Sequence, residues 1–364
     1  MYKCAIIGVS GGRARGHAEA FRLVKRGKLA AVSSRNREKL DAFADTFGVG
    51  PRYTDYREML ERERPDLVFV NTPPDVRLEV LEAAREAGTP GVVLEKPLAI
   101  QGEDYRAIMA FADEVRRSGG GPKVAINHQL HFHPRRLALQ RLVADGKIGE
   151  VLFAEASSGM NLAYQGTHSL QALGAFLPGR APLTVFGQLA GAAGLAETPA
   201  RHYAPDESMA SIAYEGGVDA VLRCGANAPR VGERPVHGHK RIAVYGTAGA
   251  VHWTMWSWAT LIGGSRDAGE HRYQDEDIQG QAGLTEAMFD WLEDDEAVHP
   301  LNLEAALVDF SVILGLYQSA LNRTVVPLPV EPEERLIERL RAELCGAAGP
   351  VDGSGRTGVQ GAGR

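Results

Sequence analysis

The first 126 residues alternate between short apolar runs and longer stretches with helical spacing, and this pattern constrains the fold most. The apolar runs cover residues 4–7, 29–32, 67–70, 92–94 and 124–126. Between them, apolar side chains recur at intervals of three and four residues, as on one face of a helix. Uninterrupted apolar strands that alternate with helices indicate a parallel sheet covered on both faces. The sequence therefore predicts an α/β, doubly wound domain over residues 1–126.

The pattern changes near Asn127, where strands begin to follow one another through tight turns. Predicted strands cover residues 150–158, 184–189, 209–214, 219–224, 241–245 and 250–256, and predicted helices cover 166–176, 280–292 and 303–321. This order predicts a second, α+β domain over residues 127–345, with helices on one face of an antiparallel sheet. A short helix at 333–344 could pack back on the first domain. Residues 346–364 are Gly-rich and poor in apolar side chains, which predicts a disordered tail.

Charge and cysteine content exclude several classes of protein. The chain has 40 Lys and Arg against 46 Asp and Glu, a net charge of −6, and no basic cluster that would attract nucleic acid. Three cysteines far apart in sequence predict neither a disulfide framework nor a thiolate zinc site. The longest apolar stretch, 305–321, contains Asp309 and Gln318 and is interpreted as a buried helix instead of a membrane span. We expect a cytoplasmic protein without nucleic-acid or membrane partners.

A glycine-rich turn follows the first strand and leads into a helix. Backbone N–H groups at such a turn can approach a pyrophosphate at the helix N-terminus, where the helix dipole favours an anion. The turn contains Gly8, Ser10, Gly11, Gly12 and Gly16, so it departs from G-x-G-x-x-G spacing and implies a longer loop. We predict that Gly8, Ser10, Gly11 and Gly12 contact a dinucleotide.

The end of the second strand predicts the choice of dinucleotide. An acidic residue there would bind the ribose 2′-hydroxyl of NAD, whereas Arg accommodates the 2′-phosphate of NADP. The strand ends in Ser33-Ser34-Arg35-Asn36-Arg37 without a carboxylate. This favours NADP over NAD, with Ser34 and Arg35 as contacts; NAD remains the alternative if Arg35 and Arg37 are solvated surface cations.

Four different short motifs lie at the ends of predicted strands or at the start of a predicted helix. Asn71-Thr72-Pro73-Pro74 follows the third apolar run, Glu95-Lys96-Pro97 the fourth and Asn127-His128 the fifth, and Gly166-Thr167-His168 opens a helix. With Gly-Lys-Ile-Gly-Glu at 146–150, their order resembles the Gfo/Idh/MocA family of oxidoreductases over residues 3–330.

The resemblance implies a Rossmann domain, a second domain with an open antiparallel sheet, and an active site between them. It implies hydride transfer between NAD or NADP and a hydroxyl or keto carbon of a sugar, cyclitol or related polyol. Lys96 and His168 take the family's catalytic positions, and a homo-oligomer (dimer or tetramer) is expected. The remaining predicted contacts are Thr72, Pro73, Glu95 and Asn127 for the cofactor, and Lys96, His128, His168 and Gln171 for the substrate.

The chain also departs from the family pattern. Tyr164 stands where the family has Asp four residues before the histidine, and Gln171 replaces another frequent Asp. Either Tyr164 joins the catalytic residues as a proton relay, or it lies outside the site and Lys96 with His168 suffices. Arg77 stands where the family often has His, and we interpret it as a helix-surface residue.

Two clusters of aromatic side chains allow more than one interpretation of the sequence. His128, His131 and His133 lie close together, but no converging further ligand is evident, so no metal is predicted. Trp253, Trp256 and Trp258 are expected to pack against another subunit, with stacking on a sugar as the alternative.

The altered acidic positions, Tyr164 and Gln171, also allow a second function, transient oxidation by tightly held NAD during glycoside cleavage. A dinucleotide-sensing regulator without catalysis is the third possible function.

Overall fold

The computed structural model describes residues 1–198, 201–229 and 236–346. The predicted disordered tail therefore lies outside the described residues except for Gly346. Two sheets organise the described chain, one of six strands and one of nine.

The first sheet is parallel throughout, with strand order β3-β2-β1-β4-β5-β6. Its strands are β1 (Tyr2–Ile7), β2 (Gly27–Ser33), β3 (Arg52–Tyr53), β4 (Leu67–Val70), β5 (Gly91–Leu94) and β6 (Lys123–Ile126). The helices between them are α1 (Gly12–Ala20), α2 (Arg37–Phe47), α3 (Tyr56–Glu63), α4 (Arg77–Glu86) and α5 (Gly102–Ser118). Strands β4 and β5 are buried along their whole length, which explains their continuous apolar sequence.

The second sheet has the order β14-β13-β12-β11-β7-β10-β9-β8-β15 and does not close. Its strands are β7 (Val151–Ser158), β8 (Pro182–Ala190), β9 (Glu207–Tyr214), β10 (Val218–Cys224), β11 (Lys240–Gly246), β12 (Gly249–Thr254), β13 (Ser257–Ile262), β14 (Ser265–Glu270) and β15 (Val326–Pro327). Strands β7 and β10 pair in parallel, and the other neighbours in the described part of this sheet are antiparallel. The predicted fold class, a doubly wound domain followed by an α+β domain with an open sheet, is confirmed, with this one parallel pair added.

Five helices belong to the second half: α6 (Pro134–Ala144), α7 (Thr167–Phe176), α8 (Tyr273–Glu293), α9 (Leu303–Asn322) and α10 (Leu336–Gly346). By length and composition alone α9 could cross a membrane, but 72% of its most apolar window is buried inside the molecule. It packs against β8, as expected for a core helix. The backbone just before α10 reaches α5, where Arg106 donates to the Pro332 carbonyl at 2.7 Å.

Helix α8 packs on the first sheet although it follows the second sheet in sequence. Leu284, Met288 and Phe289 are fully buried in one apolar cluster with Ile6 and Phe69. The predicted boundary after residue 126 stays a prediction, but β6 ends at Ile126 and the next strand belongs to the second sheet.

The tryptophan cluster is largely covered by its own chain. Trp253 is 2% exposed, and Trp256 and Trp258 are half-buried against the core. The Arg135 guanidinium lies 4.0 Å from the Trp258 ring centre. That these rings meet another subunit stays a prediction.

Candidate functional site

A cleft of about 890 Å³ opens at the carboxyl ends of the parallel strands. It lies where β1 and β4 neighbour each other and the chain switches from one half of the sheet to the other. Open α/β sheets bind ligands at this point. Seven predicted cofactor residues line the cleft or its rim: Gly8, Ser10, Gly11, Ser34, Arg35, Thr72 and Pro73.

The glycine turn is shaped for a close approach of backbone to ligand. Gly8 has φ +88°, and a Cβ there would lie 3.1 Å from the carbonyl carbon and oxygen of Asn71. Gly11 and Gly12 face open space at the start of α1, so the first N–H groups of the helix are free to bind an anion. Side-chain atoms Asn71 Oδ1, Asn71 Nδ2 and Thr72 Oγ1 are buried without a hydrogen-bond partner among the described residues. A turn open to an anion beside unpaired polar groups fits a dinucleotide.

The two arginines after β2 differ in their surroundings. Arg35 is exposed and lines the cleft, and no ion pair involves it within the described chain. Arg37 pairs with Asp41 at 2.8 Å and is not among the lining residues. Of these two arginines, Arg35 alone lines the cleft.

Lys96 leaves the end of β5 and reaches across to the second half of the chain. Its Nζ donates a hydrogen bond of 2.6 Å to the backbone carbonyl of Tyr164, and the Lys96–Pro97 peptide bond is cis. Burial disfavours the ammonium and lowers the pKa of Lys96 to about 8. The Glu95 carboxylate opposes this shift, whereas the Arg77 and Arg13 charges add to it.

Glu95 is held as a buried carboxylate on the other side of the same strand end. It accepts hydrogen bonds from His17 Nε2 at 3.0 Å and from Asn127 Nδ2 at 2.5 Å. Burial acts to raise the pKa of Glu95, but these donors and the Arg13 charge outweigh it and lower the pKa to about 2. Glu95 is therefore a fixed negative charge beside Lys96. That Glu95 and Asn127 contact the cofactor stays a prediction.

Two predicted substrate residues, His128 and His168, meet edge to face. Their ring centres are 4.9 Å apart at 80°. His128 Nε2 and His168 Nδ1 are buried and have no hydrogen-bond partner in the described chain. Burial lowers the pKa of His128 to about 3 and that of His168 well below its usual value. Both rings are thus neutral at pH 7 and each has one nitrogen ready for a hydroxyl group.

Tyr164 contributes its backbone to Lys96, while its side chain turns elsewhere. It lies in a π-helical turn, Leu162–Gly166, which Asn161 caps through a bond from Tyr164 N to Oδ1 at 3.1 Å. The phenol ring packs against His202 at 4.9 Å, and Lys96 Nζ is 5.8 Å from the ring centre. The carbonyl would be present whatever residue occupied this position.

Gln171 has both ends of its amide engaged. Its Oε1 accepts from the buried Arg136 at 2.8 Å, and its Nε2 lies 2.9 Å from His131 Nδ1. It also lines a second cavity of about 560 Å³ together with His128 and His131. Its predicted contact with substrate stays a prediction.

Arg77 contradicts its interpretation as a surface residue, because it is only 1% exposed. Its guanidinium donates to the carbonyls of Thr72 and Lys96, both at 3.4 Å. Burial lowers the pKa of Arg77 to about 10. In a sequence, a charged residue at the start of a helix suggests an exposed position. Arg77 is buried because α4 begins beneath the cleft.

Two charged groups around the site were missed in the sequence: Lys240, which acts on Lys96, and Asp277, which pairs with the glycine turn. Lys240 opens β11 and is 8% exposed, with Nζ 3.6 Å from Met255 Sδ. Burial and then the Lys96 charge lower the pKa of Lys240 to about 7. Asp277, in α8, pairs with Arg13 of the glycine turn at 3.1 Å. Neither residue belongs to a sequence motif. The available signal for Lys240 was its position at the start of a largely apolar strand.

The fold and site define a class: a two-sheet protein with a cleft at its parallel sheet that fits a dinucleotide and a half-buried lysine beside that cleft. A family model described as "Oxidoreductase family, NAD-binding Rossmann fold" (GFO_IDH_MocA) matches residues 2–118. This match covers the N-terminal third of the chain, and it confirms the predicted resemblance to the Gfo/Idh/MocA oxidoreductases.

Curated relatives match about a third of the chain. An uncharacterized oxidoreductase, ORF334, of Rhizobium meliloti is 30% identical over 34% of this chain and 35% of its own. The dTDP-3,4-didehydro-2,6-dideoxy-alpha-D-glucose 3-reductase of Streptomyces violaceoruber is 34% identical over 35% of each chain. The inositol 2-dehydrogenase of Rhizobium meliloti is 27% identical over 37% of this chain and 38% of its own. The chain thus spans little more than a third of the length of these relatives.

Solved structures extend the likeness to the whole fold. An oxidoreductase from Agrobacterium radiobacter, in complex with NAD+, L-tartaric acid and magnesium, has a TM-score of 0.76 at 17% identity, covering 90% of this chain and 98% of its own. The apo scyllo-inositol dehydrogenase from Lactobacillus casei has a TM-score of 0.71 at 19% identity, covering 91% and 99%. At these identities the likeness establishes the fold.

Proposed function

We propose that the chain is an NAD(P)-dependent oxidoreductase acting on a hydroxyl or keto carbon of a sugar, cyclitol or related polyol. The observation that carries this is Lys96: an amine with a lowered pKa at the end of β5, beside a cleft that fits a dinucleotide. Relatives named as an inositol 2-dehydrogenase and a D-xylose 1-dehydrogenase (NADP(+)) support the substrate class.

The chemistry requires a base that works near neutral pH. A bound nicotinamide would accept or supply the hydride. Lys96 with a pKa of about 8 exists in part as the free amine at pH 7–8, so its Nζ can take the hydroxyl proton as the carbonyl forms. In the reverse direction the ammonium returns the proton to the oxygen. The hydrogen bond to the Tyr164 carbonyl fixes Nζ in place and leaves the nitrogen lone pair for substrate.

His128 and His168 would position the substrate. Each ring presents one unpartnered buried nitrogen, and each is neutral. A neutral imidazole can donate to or accept from a hydroxyl, so the pair suits a ligand with several hydroxyl groups. Tyr164 supplies a backbone acceptor to Lys96 and needs no titrating side chain for that role.

We propose NADP as the preferred cofactor, with the glycine turn at the pyrophosphate and Arg35 at the 2′-phosphate. Arg35 is exposed on the cleft and makes no ion pair within the described chain, which supports this assignment. We also propose that the protein is a cytoplasmic homo-oligomer whose two domains cover residues 1–126 and 127–345.

Cofactor binding and turnover test the proposal separately. NADPH and NADH are titrated by fluorescence against the parent protein, Arg35→Ala and the matched control Arg37→Ala. We expect Arg35→Ala to weaken NADPH binding by about 10-fold or more while leaving NADH binding unchanged, since one charged phosphate contact is lost. Arg37→Ala should behave like the parent. Equal NADPH affinity in parent and Arg35→Ala would contradict the assignment of Arg35.

Turnover is then measured on a panel of polyols and sugars with the preferred cofactor. Lys96→Met should lower kcat by about 10²–10⁴-fold, the usual contribution of a general base, with cofactor affinity retained. Cofactor binding without turnover on any substrate would instead favour a dinucleotide-sensing regulator. Release of an aglycone without net redox change would favour glycoside cleavage with retained NAD.

A further inference from the structure

Three potential metal ligands converge from separate segments of the chain. His133 directly precedes α6, His271 lies between β14 and α8, and Glu276 lies in the first turn of α8. One ligand atom of each lies within 4.8 Å of the other two. The sequence shows His133 only beside His131 and His128, because the other two ligands come more than a hundred residues later.

The hydrogen bonding of His271 leaves a lone pair on its other ring nitrogen. His271 Nε2 lies 3.1 Å from the Thr254 carbonyl, which can only accept, so Nε2 carries the proton and Nδ1 carries the lone pair. His271 Nδ1 is buried and has no hydrogen-bond partner in the described chain. A carbonyl that fixes the tautomer of an imidazole in this way is the usual outer partner of a metal-bound histidine.

His133 and Glu276 are in contact without satisfying each other. His133 Nε2 and Glu276 Oε2 approach closely, yet both are buried atoms that lack a partner with hydrogen-bond geometry. Buried polar atoms without a hydrogen-bond partner are unfavourable, and one cation would satisfy His133, His271 and Glu276 together.

The surroundings resemble a one-sided pocket. The His133 ring is fully buried, whereas His271 and Glu276 are half-buried, so one side is accessible to water. The Trp253 ring packs against both imidazoles, with centre distances of 5.3 and 6.1 Å. Arg135 and Arg136 place positive charge around the cluster, and Asp275 and Asp277 place negative charge there.

We propose that His133, His271 and Glu276 form a binding site for a divalent metal of the zinc type, with water as the fourth ligand. Two imidazoles and one carboxylate suit zinc, whose tetrahedral ligands lie about 2.0–2.2 Å from the ion. The bound ion ties the start of α6 to the link between β14 and α8. Its role is structural, and it does not depend on the proposed oxidoreductase activity.

Metal binding to the full-length, tag-free protein tests this site. The protein is stripped with a chelator, titrated with Zn²⁺, and its metal content is measured after gel filtration; Co²⁺ replaces Zn²⁺ for absorption spectroscopy. We expect one ion per chain, the visible bands of tetrahedral Co²⁺, and a higher Tm with Zn²⁺ because the ion binds the folded state.

His271→Ala and the conservative Glu276→Gln should each weaken Zn²⁺ binding by about 100-fold or more and abolish the rise in Tm, since one of three ligands is lost. His252→Ala, an exposed histidine on neighbouring β12, should bind as the parent does. Circular dichroism verifies that each variant is folded. A parent that binds no Zn²⁺, or folded variants that bind it as tightly as the parent, would overturn the proposal.

Discussion

At the scale of single residues, the reactivity of Lys96 is set by charges that surround it. Burial and the cations Arg77 and Arg13 favour the free amine, and Glu95 opposes them. Arg77 is the more informative of the two cations, because it lies beneath the cleft and donates to the Lys96 carbonyl. It therefore acts on the amine through charge and on the backbone through hydrogen bonding.

Arg77→Gln separates these two roles. The amide keeps a donor for the carbonyls of Thr72 and Lys96 but removes the positive charge. Losing a like charge raises the pKa of Lys96, by about 1 unit or less. Because the base must be deprotonated, the rise of kcat/KM with pH in the oxidative direction should move to higher pH by that amount.

The measurement is a pH–rate profile for parent, Arg77→Gln and Arg85→Gln. Arg85 lies on the same helix, where it pairs with Glu114 at 2.7 Å on the surface. A profile of Arg77→Gln that coincides with those of the parent and Arg85→Gln would show that this charge does not tune Lys96.

The sequence was most informative about residues that belong to contiguous motifs. The strand-end motif pointed to Lys96, and the glycine turn pointed to Gly8 and Gly11. Tyr164 was harder, because its contact with Lys96 uses a backbone carbonyl that no side-chain pattern records. Lys240 reaches the site through sheet pairing, which a single sequence does not display.

At the scale of elements, α9 combines a deeply buried apolar surface with a carboxylate, Asp309. No hydrogen-bond donor contacts this carboxylate among the described residues, and burial raises the pKa of Asp309 from its ordinary 3.8 to about 7. Between pH 3.8 and about 7, the Asp309 carboxyl is therefore protonated in the folded state and ionised in the unfolded state. The free energy of unfolding contributed by this group falls as pH rises from about 4 to about 7.

Asp309→Asn removes this pH dependence. We expect the variant to be more stable than the parent at pH 8, where the parent must hold a half-buried charge without a hydrogen-bond donor among the described residues, and to differ little at pH 4. Urea unfolding at several pH values provides the comparison, with Asp267→Asn on the exposed edge strand β14 as control. A difference between variant and parent that stays constant across this range would refute the buried-acid account.

Elements with strong periodicity were predictable, and short or exposed ones were not. The alternating strands β9 and β10 and the long helix α9 follow from their patterns. Strand β14 is almost entirely exposed, so its sequence of Ser, Arg, Asp and Glu lacks an apolar face. The parallel pairing of β7 with β10 depends on segments far apart in sequence, and local turn signals therefore suggested antiparallel order.

At the scale of the whole molecule, Arg26 joins the first sheet to α8. Its guanidinium pairs with Glu286 at 2.7 Å, Asp290 at 2.6 Å and Glu293 at 3.1 Å, and lies over the Phe289 ring at 5.7 Å. The three carboxylates lie along one face of the helix. A network of this kind contributes more than an isolated surface pair.

Arg26→Ala should lower the free energy of unfolding by about 1–2 kcal/mol at low salt, because three carboxylates lose their common partner. Salt screens the network in the parent, so the difference should shrink at high salt. Urea unfolding at both salt concentrations measures this. Arg37→Ala, which loses a single i,i+4 pair, should cost about 0.5 kcal/mol or less. Equal losses in the two variants would argue against a cooperative network.

The overall architecture could be inferred from the alternation in the first 126 residues and the turn-rich half that follows. The place of α8 could not be inferred, since its apolar face fits either sheet equally well in the sequence. Its contact with Ile6 and Phe69 is decided by packing alone.

The position of α8 has a consequence for how the chain emerges from the ribosome. Strand β6 ends at Ile126, but the helix that covers this side of the first sheet begins at Tyr273. At about 5–20 residues per second, the nascent sheet waits roughly seven to thirty seconds without the part of its apolar cluster that Leu284, Met288 and Phe289 supply. During that interval the nascent domain exposes an apolar surface to chaperones and to neighbouring nascent chains. Correct biogenesis of this protein thus depends on protecting an early domain until a late helix arrives.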